Sequence, residues 1–440
     1  MTNTNQKNAE LITRSLASIW HPCTQMKHHE QFPLVPIASA SGVWLTDFDG
    51  NAYLDCVSSW WVNLFGHANP RINAAIKDQL DTLEHAMLAG FTHAPAVELA
   101  ERLHKLTGLG HAFFGSDGAS AVEIALKMSF HYWRNTGAVG KTKFVSLEGS
   151  YHGETLGALS VTDVAIFKDA YAPLLNNNLL VPFPQSSEDA DGGEAGARNA
   201  AAALEKLLIA RHHEIAAMIV EPLVQGAAGM RFFHPLYLQL ARELCSRYGV
   251  FLIADEIMTG FGRTGTMFAW QQVDAPLPDL MCLSKGITGG YLPLSCVLTT
   301  DQIYDAFYDD DVARGFLHSH SYTGSALACR AALATLDIFD DDNVIDSNQV
   351  RAPHFTTLMA PLRAHPRVTN FRHLGMIWAF DVVSDQPAFA RHFFAGALKQ
   401  GLLLRPIGNT VYFMPPYVIS DTEFQLMVDG TLAVINEVTY

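Results

Sequence analysis

Two stretches decide how this chain folds: Val250-Phe251-Leu252-Ile253-Ala254-Asp255 and Asp279-Leu280-Met281-Cys282-Leu283-Ser284-Lys285-Gly286. Each is an apolar run that ends in a charged residue. Runs this short and this uniformly apolar suit strands covered on both faces. In open α/β sheets the functional groups gather at the carboxyl ends of such strands. The first run delivers a carboxylate, Asp255, and the second delivers an amine, Lys285. A buried lysine forms a Schiff base with an aldehyde, and an aspartate can hold a pyridinium nitrogen protonated. Those are the two protein groups that pyridoxal 5'-phosphate (PLP) needs. A surface lysine after a strand and an aspartate capping a helix would read the same way, so the surrounding motifs must decide.

Outward from this pair the sequence alternates between helix and strand patterns. Helices are expected over Arg71–His85, Ala94–Leu106, Ala119–Asn135 and Pro235–Tyr248. Strands are expected over His111–Gly115, Lys143–Leu147, Ala216–Val220, Val250–Ala254 and Met281–Leu283. Alternation of this kind predicts an α/β fold with a mostly parallel sheet covered by helices. Residues 34–56 alternate in the strand manner, and Gly42–Asp55 reads as two short strands around Asp49-Gly50-Asn51. The Gly/Ala/acidic stretch Ser186–Asn199 reads as a solvated loop, and the runs Asp309–Asp311 and Asp340–Asp342 as exposed turns. A long helix over Tyr322–Phe339 is expected to lead out of the large domain. The chain divides into residues 1–65, the first part of a small domain; 66–335, a large PLP-binding domain; and 336–440, the rest of the small domain.

Bulk properties exclude several classes. The chain has 440 residues, 49% apolar and 17% charged, enough for a large buried core. Its formal net charge of −15 argues against nucleic acid or an anionic membrane as partner. Mean hydropathy is slightly positive, at +0.11, which fits a chain that also buries a subunit interface. Six cysteines lie scattered without C-x-x-C spacing and read as reduced residues, not as a disulfide frame or zinc site. The polar start Met1-Thr2-Asn3-Thr4-Asn5-Gln6 has no signal-peptide core, and no stretch is long enough to span a bilayer. Together these favour the cytoplasm.

Further motifs fall at strand ends. Gly115-Ser116-Asp117-Gly118-Ala119-Ser120 joins a strand to a helix, where backbone N–H groups can meet a phosphate. Asp117 would repel that phosphate, so its side chain must point away. Tyr151-His152-Gly153-Glu154 places an aromatic at the sheet edge, able to stack on a flat ring. Glu221-Pro222 and Asp255-Glu256 place carboxylates there. Asp255 is the better cofactor partner, because the lysine strand follows it. Gly260-Phe261-Gly262-Arg263-Thr264-Gly265 is a glycine-rich loop whose Arg263 is a structural or substrate contact. His318-Ser319-His320-Ser321 has metal-like spacing but no third ligand, so no metal is expected, and Ser321 fits better as a phosphate donor. Ser58-Ser59-Trp60-Trp61 carries adjacent indoles, usually core but able to line a substrate site. Arg405 could clamp a carboxylate.

As a set these segments resemble the class III PLP-dependent aminotransferases of fold type I. The likeness runs from about residue 20 to 420. Its most specific parts are Ile253–Gly265 and Ser284-Lys285-Gly286-Ile287-Thr288-Gly289-Gly290. Within the family the chain is most similar to the members of biotin synthesis that take S-adenosylmethionine as amino donor and 8-amino-7-oxononanoate as acceptor. Trp20-His21-Pro22, Ser58–Trp61, His318–Gly324, Arg405-Pro406 and Tyr412–Tyr417 carry that narrower likeness.

The resemblance implies a role for each matching residue. Lys285 holds PLP as a Schiff base and moves a proton. Asp255 pairs the pyridinium nitrogen, and Tyr151 stacks near the ring and faces substrate. Asp117 and Gly118 meet the phosphate by backbone, while His320 and Ser321 reach the phosphate of a neighbouring subunit in a homodimer with shared sites. Trp60 and Ser319 line the substrate pocket, and Arg405 holds the acceptor's carboxylate. The chain departs from the family at Cys23, where a substrate-recognising Tyr is usual. It also departs at Ser325-Ala326, in place of Asn-Pro, and at Asp117, where Ser or Asn is usual. Two other readings stay open on the residues: a different class III ω-amino acid aminotransferase or aminomutase, and a PLP-binding regulator without turnover.

Overall fold

The computed structural model describes residues 6–32, 34–185 and 193–438. The described chain forms two compact units, residues 71–347 and residues 1–70 with 348–440.

The larger unit is built on seven strands. They are β1 (His111–Gly115), β2 (Lys143–Leu147), β3 (Leu179–Val181), β4 (Ile215–Val220), β5 (Phe251–Asp255), β6 (Leu280–Leu283) and β7 (Ser295–Thr299). Their spatial order is β1-β7-β6-β5-β4-β2-β3. The run from β3 through β2, β4 and β5 to β6 pairs in parallel. Strand β7 is antiparallel to both of its neighbours. The reason is local: only one helical turn, Lys285–Thr288, separates β6 from β7. A parallel return needs a longer crossover, so the chain folds straight back. Because no helix intervenes, the alternation of helix and strand that reveals the other strands does not reveal β7. β3 escapes notice because it is only three residues long.

Strands β4 to β7 are buried at every residue, as helices on both faces require. Helix Gly118–Asn135 supplies much of one cover. Its Val122, Ala125 and Leu126 pack in one cluster with Ile219, Ile253, Leu280 and Val297 of the sheet. At the far end of that helix Tyr132 and Trp133 meet Phe251, with ring centroids 4.7 and 4.8 Å apart.

Several expectations need correction. Helix Glu194–Arg211 begins inside the stretch read as a loop: it carries Gly196 in its first turn, but the alanines and leucines that follow favour a helix. Residues 186–192 lie outside the described residues. The long helix is Ala326–Asp341, and it packs in the core of the larger unit. Asp340 and Asp341 close this helix; they do not form a separate turn. Asp337 and Asp340 pair with Arg102, and Asp341 and Asp342 with Arg71. The chain crosses between units at 70/71 and 347/348, five and twelve residues past the expected boundaries.

The smaller unit joins both ends of the chain in one sheet. Ile37–Ser41, Trp44–Asp47 and Ala52–Asp55 form an antiparallel meander. Leu402–Leu403 adds a parallel strand, pairing Leu402 with Leu54 and Leu403 with Asp55. The turn between the second and third strands is held by Asp47, whose Oδ1 accepts from Asp49 N at 3.0 Å and Asn51 N at 2.8 Å. A second antiparallel sheet contains Val368–Leu374, Ile377–Val382 and Thr410–Phe413.

Candidate active site

Strand register assembles the centre of the larger unit. Val220 pairs with Ala254, and Ala254 with Met281. The next residues along, Glu221, Asp255 and Cys282, therefore form one row at the carboxyl ends of three parallel strands. Asp255 is buried, and its Oδ2 lies 2.7 Å from His152 Nδ1. Its Oδ1 accepts from Ile257 N at 3.1 Å. His152 leaves the turn after β2 and is itself buried. Because Nδ1 faces a carboxylate, it carries the proton. The other ring nitrogen, Nε2, is buried without a hydrogen-bond partner among the described residues.

Lys285 follows β6 by two residues, with φ 45°. A non-glycine residue in this left-handed region costs about 1–2 kcal/mol, so the surrounding turn must impose it. Ile287 N donates to Ser284 O at 3.1 Å, and Ser284 Oγ donates to Leu294 O at 2.9 Å. Burial pushes the Lys285 ammonium down from the usual lysine range, and the charges of Asp255 and Glu221 oppose that shift. An amine so placed is more readily neutral and nucleophilic.

Two neighbouring glutamates are pushed the other way. Burial raises Glu221 to about 7, with the nearby Asp255 adding to the effect and His152 opposing it. Glu221 accepts from Tyr151 N and Gly226 N, both at 3.0 Å. It thereby fixes the backbone that carries Tyr151. The Tyr151 hydroxyl donates to Glu154 at 2.9 Å, and its ring lies 5.3 Å from that of Phe167. Burial likewise raises Glu256 to about 7. Glu256 accepts from Thr259 Oγ1 at 2.6 Å, Trp270 N at 2.7 Å and Ala269 N at 3.1 Å, and so ties down the loop after β5. That loop contains Arg263, which is 1% exposed.

At the next strand end, Asp117 caps helix Gly118–Asn135, its Oδ1 accepting from Ser120 N at 2.9 Å. The carboxylate is thus turned onto the helix start. A Cβ on Gly118 would lie 3.0 Å from Ile257 Cγ2, so a larger residue would press on the loop after β5 where this turn meets it. Ser116 Oγ lies 3.0 Å from His320 Nδ1 of the same chain. His320 Nε2 lies 3.3 Å from His318 Nε2, and His318 Nδ1 lies 2.8 Å from Lys127 Nζ. Ser319 and Ser321, on either side of His320, are exposed. Among the described residues no group of three or more His, Cys, Asp or Glu could hold a metal ion.

The smaller unit brings together three other residues singled out from the sequence. Arg405 Cζ lies 5.9 Å from the centre of the Trp60 ring, and Arg405 Nη2 donates to the carbonyl of Cys23 at 3.4 Å. The paired indoles separate: Trp61 is 5% exposed and its Nε1 donates to Tyr412 Oη at 3.1 Å, whereas Trp60 is 49% exposed. The backbone explains the split. Ser58, Ser59, Trp60 and Trp61 all have positive φ, at 53°, 46°, 72° and 73°. Four such residues in a row are costly, at about 1–2 kcal/mol each. Buried Asp55 opposes that cost, its Oδ1 accepting from Ser59 N at 2.9 Å and its Oδ2 from Ser59 Oγ at 2.8 Å. Sequence reasoning missed Asp55, and also the roles of His152 and Glu221. Their partners lie 4, 103 and 70 residues away, and no local pattern links the last two pairs.

The larger unit presents a desolvated lysine, a buried carboxylate with a histidine behind it, and a small-residue turn at a helix start. These groups fit PLP: a nucleophilic amine, an anion for the ring nitrogen and N–H groups for a phosphate. With the strand order of the sheet, they define a PLP-dependent enzyme of fold type I. Residues 25–435 match the family Aminotransferase class-III, and the chain belongs to that family. It is 47% identical over 434 residues to the adenosylmethionine-8-amino-7-oxononanoate aminotransferase of Helicobacter pylori (strain ATCC 700392 / 26695). That match covers 97% of this chain and 98% of the relative. The crystal structure of the enzyme of the same name from Methanocaldococcus jannaschii DSM 2661 superposes with a TM-score of 0.91 at 35% identity, covering 98% of this chain and 100% of that one. An omega transaminase from Pseudomonas jessenii, solved in complex with PMP, also reaches 0.91, at 27% identity with 98% of each chain covered.

The raised carboxyls make a pH prediction. A glutamic acid whose folded pKa is about 7, against an ordinary 4.5, binds more protons folded than unfolded between those values. Its contribution to stability is therefore full below about pH 4.5 and is lost as pH rises toward 7, by about 3 kcal/mol at most. Glu256→Gln removes one such group. Whatever its offset in stability, unfolding midpoints measured from pH 5 to 7.5 are expected to slope less steeply than in the wild type. An unchanged slope would show that Glu256 is already ionised at pH 5.

Proposed function

We propose that the enzyme transfers the amino group of S-adenosylmethionine to 8-amino-7-oxononanoate, giving 7,8-diaminononanoate for biotin synthesis, as a cytoplasmic homodimer. The observation that carries this reading is the near-full-length likeness to relatives that bear this activity in their name. The grouping of Trp60 and Arg405 agrees with it, since the acceptor is an apolar chain ending in a carboxylate. No described helix is long and apolar enough to cross a membrane, and the net charge is −15.

PLP, when bound, supplies the electron sink that lets an amino group pass from one carbon to another. The residues of the chain do the rest. Lys285 would hold the cofactor through its side-chain amine, and that amine, once freed by the donor, would be the base that accepts the proton of the donor's α-carbon. The shift of its pKa away from the lysine range suits that alternation. Asp255, with His152 donating to it, would pair the ring nitrogen of the cofactor. Tyr151, on a backbone fixed by Glu221, would stack near the ring. The backbone of Asp117 and Gly118 takes the phosphate. Cys23, Trp60, Ser319 and Arg405 contact the substrate: Arg405 pairs the acceptor's carboxylate, and the indole face of Trp60 suits the sulfonium of the donor.

In the single chain His320 rests on Ser116 of its own phosphate turn. Ser321, the next residue and exposed, is the donor that a neighbouring subunit offers to that phosphate. Dilution should therefore release cofactor as monomer forms, measured by sedimentation alongside visible absorbance. A monomer that keeps its full complement of PLP would refute the shared site.

The substrate reading is tested on the cofactor-loaded protein. Added S-adenosylmethionine is expected to remove the visible band of the bound cofactor, and 8-amino-7-oxononanoate to restore it. An unchanged band with S-adenosylmethionine, but a loss with another amine, would assign a different donor.

Cys23 gives a sharper test. A thiol is smaller than a phenol and a weaker donor. Cys23→Tyr is expected to raise kcat/KM for diaminononanoate formation, by roughly 1–3 kcal/mol in transition-state terms if ring contacts and a hydrogen bond are both gained. The cofactor spectrum should not change, since Lys285 and Asp255 belong to the other unit. A neutral or harmful effect with both substrates would show a pocket repacked around the thiol.

A further inference from the structure

The turn Ser58–Trp61 is the most strained segment among the described residues, with four consecutive non-glycine positions at positive φ. Nothing in the chemistry of Lys285 uses it. Its product is the separation of two adjacent indoles, Trp61 into the core and Trp60 outward. The groups that hold it converge on one side chain. Asp55 is fully buried. Its Oδ1 accepts from Ser59 N at 2.9 Å and Val57 N at 3.4 Å, and its Oδ2 from Ser59 Oγ at 2.8 Å. His67 Nε2 lies 3.0 Å from the same Oδ2. Asn63 Nδ2 lies 3.2 Å from His67 Nδ1, so Nδ1 accepts and the ring proton sits on Nε2, facing Asp55. All four contacts are donors, and only a group that accepts on both oxygens satisfies them. An ionised carboxylate does so; an amide cannot.

Asp55 is also placed to set a distance. It pairs in parallel with Leu403, so the two chains leaving this row lead to Trp60 and to Arg405. Those two side chains then stand 5.9 Å apart, measured from guanidinium carbon to ring centre. We infer that Asp55 is a positioning residue that fixes the pose of Trp60 toward Arg405, and thereby the fit of substrate, by holding the left-handed turn Ser58–Trp61. This rests on the reading that Trp60 and Arg405 contact substrate.

The experiment is a double-mutant cycle on the cofactor-loaded enzyme, comparing wild type, Asp55→Asn, Trp60→Phe and the double variant. S-adenosylmethionine is titrated, and the loss of the visible cofactor band gives a half-saturating concentration and a limiting rate. Asp55→Asn is expected to raise the half-saturating concentration roughly tenfold and to change the limiting rate less than about threefold. In the Trp60→Phe background the same substitution should add less than about twofold, because the group it positions is already altered. Ser59→Ala, which removes one donor to Asp55, is expected to act in the same direction but more weakly. It stands in for Asp55→Asn if that variant does not accumulate as folded protein.

Losses that multiply in the double variant, or a limiting rate that falls as far as affinity, would overturn the inference while leaving Trp60 a substrate contact. A Trp60→Phe variant unchanged toward both substrates would overturn the pocket reading and the inference with it. If the wild type ignores S-adenosylmethionine, the donor assignment fails alone, and the cycle is read on the amine that does remove the band.

Discussion

Everything in the larger unit depends on satisfying one carboxyl group in a dry place. Asp255 is buried at the end of a strand that is itself buried. A polar group there costs free energy unless it is hydrogen-bonded. The His152 ring lies 2.7 Å from one of its oxygens, and the Ile257 amide donates to the other at 3.1 Å. Glu221, one strand over, is pushed up to about 7 by burial, with Asp255 adding to the effect. Lys285 completes the set with an amine that burial makes easier to discharge. The arrangement needs parallel strands in exact register, because a slip of one residue would turn either carboxylate to the other face of the sheet.

The smaller unit solves a different problem. Its first sheet is made from both ends of the chain, with Leu403 beside Asp55. An aromatic from one end and a guanidinium from the other can therefore be held at a set spacing. The means is strain balanced by hydrogen bonds to one buried side chain: four left-handed residues on one side, four convergent donors to Asp55 on the other. A relaxed turn would leave the neighbouring indoles free to bury together, as paired tryptophans usually do.

Fold similarity stops short of substrate choice. An aminotransferase from Methanocaldococcus jannaschii and an omega transaminase from Pseudomonas jessenii superpose equally well, both at a TM-score of 0.91. The sheet and its lysine serve amino transfer in general. Discrimination among donors and acceptors must come from side chains set on a frame common to many enzymes, and Cys23, Trp60 and Arg405 are the ones we propose.

Much of this was legible in the residues. Lys285 and Asp255 stand out because buried strands are apolar and a charge at their end is conspicuous. Four of the five parallel strands, β2, β4, β5 and β6, were read to within a residue for the same reason, while the three-residue β3 was not. Gly289, at φ 63°, and the helix start after Asp117 follow from local backbone demands that a sequence displays directly. Other features depended on contacts between distant segments. The antiparallel β7 lacks the helix that would announce it. His152 reaches Asp255 across 103 residues, and Glu221 fixes Tyr151 across 70. Nothing in Ser58-Ser59-Trp60-Trp61 foretells a left-handed turn, since the donors and acceptors that make it affordable come from Asp55, His67 and Met414. Residue identity and spacing determined the chemistry available to this chain. Strand register and the burial of polar groups decided which partners each carboxyl meets, which tryptophan faces outward and how far it stands from Arg405. Desolvation and hydrogen bonding act through space, and only the folded chain brings those partners together.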